Sequence, residues 1–261
     1  MLAERLVREG NLQAALQEVQ EHVRHRPEDS DYRTFLFQLL AVLGQWERAL
    51  HQLNALSNLE TSAWPMAQLY REAIRCEVFR ADVFAGRCQP LIFGEPPPWL
   101  ALLLASLPLT AQGQYTQALA LRQQAFELAS SSAGTIDEQP FTWIADADAR
   151  LGPVLEIIVN GHYYWAPFQH IQAISLLRVT DLRDLVWLPA HFTWSNEGQA
   201  YGLIPTRYPD SDKAHDPSIQ LARKTEWLEL ADGIYHGLGQ RMLVTDQEEY
   251  PLLDIRKVTV H

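Results

Sequence analysis

Three stretches of the chain share one pattern: GNLQAAL at residues 10–16, GQWERAL at 44–50 and GQYTQAL at 113–119. Each is a glycine, any residue, an apolar or aromatic residue, two more residues, then Ala-Leu. Gly44 follows Gly10 by 34 residues, and Gly113 follows Gly44 by 69, close to two further periods. A period of about 34 residues is that of tetratricopeptide-type helical hairpins. Glycine permits the tight turn between two antiparallel helices. The residue two positions on (Leu12, Trp46, Tyr115) packs back under the turn, and the alanine after it (Ala15, Ala49, Ala118) lets the helices approach closely.

The flanks carry the matching periodicity. DYRTFLFQLLAVLG (31–44) places Tyr32, Phe35, Leu36, Leu39, Leu40 and Leu43 at three- and four-residue steps, one wide apolar face. Asp29 or Ser30 caps this helix, with Pro27 as punctuation upstream. MAQLYREAIRCEVFRADVF (66–84) keeps the rhythm through Met66, Leu69, Tyr70, Ala73, Ile74, Glu77 and Val78 but lacks the glycine phrase. It reads as a degenerate repeat or an inserted helix. FGEPPPWL (93–100) interrupts the series, because consecutive prolines forbid a helix there. The match to a regular superhelix is partial: nine residues precede the first glycine, and Phe37 stands where such repeats want a small side chain.

The texture changes at SSSAGTIDEQ (130–139), a loosened linker or loop. Beyond it, short β-branched and aromatic runs alternate with turn residues. In PVLEIIVNGHYYWAPF (153–168), residues 154–159 form a strand, Asn160-Gly161 is a two-residue hairpin turn, and 162–166 return. LVWLPAHFTW, GQAYGLIPTRY, TEWLEL, GQRMLVTD and LLDIRKVTV supply further strands, and APFQHIQAISLL holds a helical turn before another. The expectation is an α+β fold in two parts: tetratricopeptide-like helical hairpins over 1–133, then over 134–261 an α+β domain with a small, mostly antiparallel sheet or partly open barrel.

Composition bounds the function. The 261 residues are 47% hydrophobic and 20% charged, with a formal net charge of −11 and pI ≈ 5.2. That average field repels a phosphate backbone, so no nucleic acid is expected as partner. Cys76 and Cys88 form no metal or disulfide framework and read as reduced thiols. The start MLAERLVREG has no signal-peptide core, and WLALLLASLPL (99–109) is too short to span a bilayer. A soluble, cytoplasmic chain with no membrane partner is expected.

Catalytic chemistry has one candidate region. Asp146, Asp148 and Arg150 alternate, and two aspartates can work as acid and base or bind a hard cation, with His162, His170 and His191 as candidate ligands or bases. No His-x-x-x-His, Gly-x-Ser-x-Gly or phosphate loop accompanies them. The structural reading is favoured: aspartates capping turns or pairing with arginines, and no cofactor. In LARKTEW (221–227), Arg223, Lys224 and Glu226 alternate with Ala222, Thr225 and Trp227 as in a half-buried strand. GLIPTRYPDS (202–211) reads as a polar loop and a second interaction surface.

The helical half suits binding. Stacked hairpins leave a concave face. An amphipathic helix can lay its apolar stripe there, and an acidic chain favours a basic-faced one. Tyr32, Arg33, Phe37, Tyr70, Arg71 and Trp99 are the candidate partner-binding residues, expected at exposed positions of the leading helices.

The segment WIADADARLGPVLEIIVNGHYYWAPFQHIQAI (143–174) resembles the ImpE family, the TagJ or SciE type, accessory proteins of bacterial type VI secretion. LRDLVWLPA, GLIPTRYPDS, LARKTEW and GLGQRMLVTDQEEYPLLDIR extend the resemblance, and the opening EGNLQAAL extends it toward the N-terminus. The resemblance implies a cytoplasmic, non-enzymatic protein that binds a component of the contractile sheath. The implied ligand is a helix of the small sheath subunit, with an indirect link to the sheath-recycling ATPase. It carries no catalytic residues. The alternatives are a metal-dependent or acid/base enzyme using Asp146 and Asp148, and a general helical-repeat adaptor or chaperone.

Overall fold

A computed structural model describes residues 1–231 and 233–261. Seven helices lead: α1 (Leu2–Arg8), α2 (Leu12–His25), α3 (Ser30–Val42), α4 (Trp46–Leu59), α5 (Trp64–Phe84), α6 (Pro98–Ala111) and α7 (Tyr115–Leu128). Each quoted glycine joins a hairpin: α1/α2, α3/α4 and α6/α7. The glycines sit at φ +80, +65 and +74, the left-handed region that closes a helix. At each turn the following amide bonds back to a carbonyl five residues earlier, Asn11 to Leu6 (2.8 Å), Gln45 to Leu40 (2.9 Å) and Gln114 to Leu109 (2.8 Å). Leu12, Trp46 and Tyr115 open the second helix of each pair, and Ala15, Ala49 and Ala118 are buried where the rods touch. Asp29 caps α3 by accepting from the Tyr32 amide at 3.1 Å.

α5 is the inserted helix. It runs 21 residues outside the glycine-turn hairpins, packing on α4 along one side and on the sheet along another. After it, β1 (Leu91–Ile92) crosses over and pairs in parallel with a strand of the second half. The proline run then does more than interrupt: Pro97 is the N-cap of α6 and Pro98 its first residue, where a missing N–H costs nothing.

The remaining strands are β2 (Gly134–Ile136), β3 (Gln139–Phe141), β4 (Ile144–Asp146), β5 (Val154–Val159), β6 (His162–Pro167), β7 (Ile171–Leu176), β8 (Trp187–Trp194) and β9 (Gln199–Pro205). After a short helix α8 (Pro217–Gln220) come β10 (Thr225–Ala231), β11 (Ile234–Gly239), β12 (Met242–Thr245), β13 (Glu249–Pro251) and β14 (Lys257–Val260). The main sheet is larger than the sequence suggested, nine strands in the order β1-β6-β5-β9-β8-β7-β14-β2-β3, antiparallel apart from β1. A three-stranded sheet (β13-β12-β4) and a two-stranded ribbon (β10-β11) complete the described strands. Asn160 and Gly161 both take positive φ, as the β5–β6 hairpin turn requires.

β5 is buried along its whole length because both sheet faces are covered. Val154 and Ile158 join a core shared with the helices, running from Ala3 through Phe37 and Tyr70 to Trp165 and Trp187. Leu155, Ile157 and Val159 face the opposite way, into a second core with Phe192, Leu243 and Val258. The first core spans the composition change near residue 130, so helices and sheet are welded rather than tethered.

Candidate functional site

The weld is where the expected site residues lie. α5 turns Tyr70, Ile74, Glu77, Arg80 and Phe84 toward the sheet at three- and four-residue steps. The Tyr70 ring lies 5.6 Å from both Phe37 and Trp187, and Trp46 is 5.9 Å from Trp187 on the other side. Lower down, Phe84 meets Trp165 at 6.0 Å. Phe37, Tyr70 and Trp99 are therefore core residues (0%, 4% and 3% exposed), not exposed positions of a groove. The trough expected on the helical half is filled by the chain's own sheet. Tyr32 is half-buried and stacks on His22. Arg33 donates to the Pro27 carbonyl and to Gln52, and Arg71 to Asn54 and Ser57, so both arginines tie adjacent helices together.

Beside the rings runs an ionic seam. Glu156, in the middle of β5, accepts Arg80 Nε at 2.6 Å and Arg80 Nη2 at 2.9 Å. It also accepts Arg241 Nη2 and the Tyr163 hydroxyl. Arg241, fully buried, reaches Asp146 with its other terminal nitrogen. Asp146 further accepts the Tyr208 hydroxyl at 2.9 Å and the Asp148 amide at 2.8 Å. At the far end Glu77 accepts Trp187 Nε1 at 3.1 Å and lies 3.4 Å from Arg80. Three carboxylates thus share two guanidiniums, and the electrostatics follow. Burial is the largest influence on Glu156, but Arg80 and Arg241 outweigh it and hold the carboxyl at about 2. The two carboxylates at the ends of the cluster are pushed upward, Glu77 and Asp146, the latter to about 6, by burial that one shared arginine does not offset.

Asp148 behaves oppositely to its neighbour. Burial raises it, yet the bidentate Arg150 and the Gly237 amide (2.9 Å) bring it to about 2. The two aspartates are consumed by arginines and backbone amides, and none of His162, His170 and His191 is among their partners. His162 Nδ1 lies 2.8 Å from the Asn160 carbonyl oxygen, and His191 packs on Tyr201 at 4.6 Å. Among the described residues no three His, Cys, Asp or Glu side chains are grouped to hold a metal. LARKTEW is structural in part: Arg223 donates to the Val7 and Arg8 carbonyls at the end of α1. The GLIPTRYPDS segment is not a surface loop. Thr206, Arg207, Tyr208 and Ser211 are buried, and Arg207 donates to the Val42 carbonyl at the end of α3 (2.8 Å).

Several openings remain among the described residues. An apolar trough of ≈ 420 Å³ runs between the end of α7 and β4, lined by Phe126, Trp143, Ala145, Pro153 and Val244. Trp143 and Phe126 are 39% and 37% exposed there, and Leu128 nearby is 64% exposed. A polar cleft of ≈ 400 Å³ lies at the weld between α5, α6 and β11.

Residues 138–259 match the family model described as ImpE protein. Over 258 residues the chain is 49% identical to the type VI secretion system accessory component TagJ of Pseudomonas aeruginosa, covering 99% of this chain and 90% of that protein. The chain belongs to the ImpE family. The X-ray structure of protein VPA1032 from Vibrio parahaemolyticus superposes with a TM-score of 0.91 at 26% identity, covering 100% of this chain and 98% of that one. An ImpE chain is thereby placed among accessory components of type VI secretion, a non-enzymatic group. The ImpE weld also shows what sequence reading passed over: Arg80, Glu156 and Arg241. One signal was present, a glutamate inside the apolar run VLEIIV. A charge in the middle of a fully buried strand demands a partner.

Proposed function

We propose that this ImpE protein works in the cytoplasm as a sheath-binding accessory component of type VI secretion, receiving an amphipathic helix of the small sheath subunit. The observation that carries the secretion assignment is the 49% identity to TagJ across nearly the whole chain. The inner face of the hairpins is occupied by the sheet, so the docking surface moves to the α7–β4 trough. It is the apolar opening that presents exposed rings, Phe126 and Trp143, for an apolar stripe to cover. A net charge of −11 favours a helix whose other face is basic. Through the sheath subunit the protein connects indirectly to the ATPase that recycles the sheath.

The test is a pull-down with the small sheath subunit, intact and lacking its first helix, against wild type and Trp143→Glu. Binding to the intact subunit, abolished by the deletion and weakened about tenfold or more by Trp143→Glu, supports the reading. Binding that survives the deletion refutes the helix as ligand, and binding indifferent to Trp143→Glu refutes the trough.

A further inference from the structure

The polar cleft at the weld adjoins positive charge that has no carboxylate in contact among the described residues. Arg122 on α7 is 2% exposed, yet its guanidinium donates only to hydroxyls, Ser106 Oγ at 3.2 Å and Thr110 Oγ1. No carboxylate touches it among the described residues. A buried cation with only neutral partners is costly, and burial draws this arginine down to about 10. Thr110, which accepts from Arg122, lines the cleft, and so does Arg150, whose Nε and Nη2 are engaged by Asp148 while Nη1 has no hydrogen-bond partner among the described residues. Asp148 cannot answer for both arginines. One oxygen accepts the Arg150 amide and Nε, the other Arg150 Nη2 and the Gly237 amide.

His236 on β11 completes the wall. Its Nε2 is buried and has no hydrogen-bond partner among the described residues. Desolvation, reinforced by Arg150 and Arg122, depresses the imidazole to about 4. It is therefore neutral at pH 7, with donor capacity unspent. The acids elsewhere in the cleft act on other cations. Glu77 serves Arg80 and Trp187 and Asp210 is bonded to Lys213, while Asp212 acts on Arg207 through space without an ion pair among the described residues. In a chain of net charge −11, this corner has the opposite local sign.

We propose that the cleft is a binding site for an oxyanion of carboxylate or phosphate type, held by Arg150 and His236, with Arg122 behind the cleft-lining Thr110 adding its charge. The oxyanion supplies the missing counter-charge to Arg122 and the missing acceptor at Arg150 Nη1 and His236. Charge-assisted bonds are the strong kind. Because α5 and α6 form one wall and β11 part of the other, a bound anion also ties helices to sheet.

Melting temperatures are measured against inorganic phosphate and against succinate at fixed ionic strength, balanced with chloride, for wild type, His236→Phe and Arg122→Met. The expected result is a saturable rise in wild type whose midpoint moves about tenfold or more in either variant. Phosphate acting alone assigns a phosphate ester as ligand, and succinate acting as well assigns a carboxylate. In parallel, NMR titration of the His236 ring should show its pKa rising by about one unit with the effective probe present, since an adjacent negative charge favours the imidazolium. If Arg122→Met does not fold, His236→Phe and the ring titration decide. A linear salt effect equal in wild type and His236→Phe, or a His236 titration unmoved by both probes, overturns the site.

Discussion

Tyr70 and Phe84 on α5 meet the sheet through rings, at Trp187 and Trp165, while Glu77 and Arg80 between them meet it through charge, at Trp187 Nε1 and Glu156. One helix face therefore carries two kinds of joint. The aromatic joint gains by removing apolar area from water and is forgiving of shape within limits. The ionic joint gains little over an apolar replacement, because desolvation offsets most of the attraction. Its consequence lies in what happens when it is broken. A lost ring leaves a hole, and a lost arginine leaves unpaired buried charges. The two joints should therefore fail with different sizes and different pH signatures.

The largest effect is expected at Arg241. It is the cation shared by Glu156 and Asp146, and all three are fully or almost fully buried. Arg241→Met keeps the stem and removes the charge. Urea unfolding at pH 7 should show a loss of about 3–5 kcal/mol, the cost of stranding a buried partner. A loss below about 1 kcal/mol would show that the ionic joint behaves as an apolar one, and the distinction between the joints would fall.

The next effect is a pH dependence with two limbs. Asp146 has its folded pKa raised to about 6, so the folded state binds its proton more readily than the unfolded chain does. Its ionised form opposes folding at pH 7, and that opposition is relieved as pH falls from about 7 to 5. Glu77, also raised by burial, adds in the same direction. Glu156 and Asp148 are depressed to about 2, so their stabilisation is present above about pH 4 and is lost as pH falls toward 2. Stability should rise by about 2 kcal/mol from pH 7 to 5 and collapse below pH 4. Asp146→Asn should flatten the upper limb to the share due to Glu77 while the acid limb stays. An upper limb unchanged in Asp146→Asn would remove Asp146 as its source.

How much of this was open to sequence reading differs between the joints for a physical reason. The hairpins were legible because helix closure at Gly10, Gly44 and Gly113 is local: a left-handed residue, a small alanine and a periodic face all lie within one turn of each other. The Asn160-Gly161 turn was legible for the same cause. Burial of Phe37, Tyr70 and Trp99 was not, since periodicity shows that a face is apolar but not whether a partner or the chain's own sheet covers it. The ionic joint was least legible. Arg80 and Glu156 are 76 residues apart and Asp146 and Arg241 are 95 apart, and no local pattern joins them. The crossing of β1 to β6 escaped likewise, because a two-residue parallel strand has no periodicity to detect.

The smallest effect belongs to the aromatic joint and is the control for the others. Phe37 is fully buried, packed on Tyr70 at 5.6 Å, and carries no polar atom in its side chain. Phe37→Leu keeps the site apolar and removes part of its volume, which Tyr70 and the neighbouring leucines can partly refill. The expected loss is about 1.5 kcal/mol, well under that of truncation to alanine. No charge is stranded, so the variant's stability should run parallel to wild type across pH 3–8, offset by a constant. The offset tests the packing and the parallelism tests the separation of the joints. If Phe37→Leu instead bends the pH profile, the rings are positioning the carboxylates and arginines beside them, and the two joints are one cooperative unit.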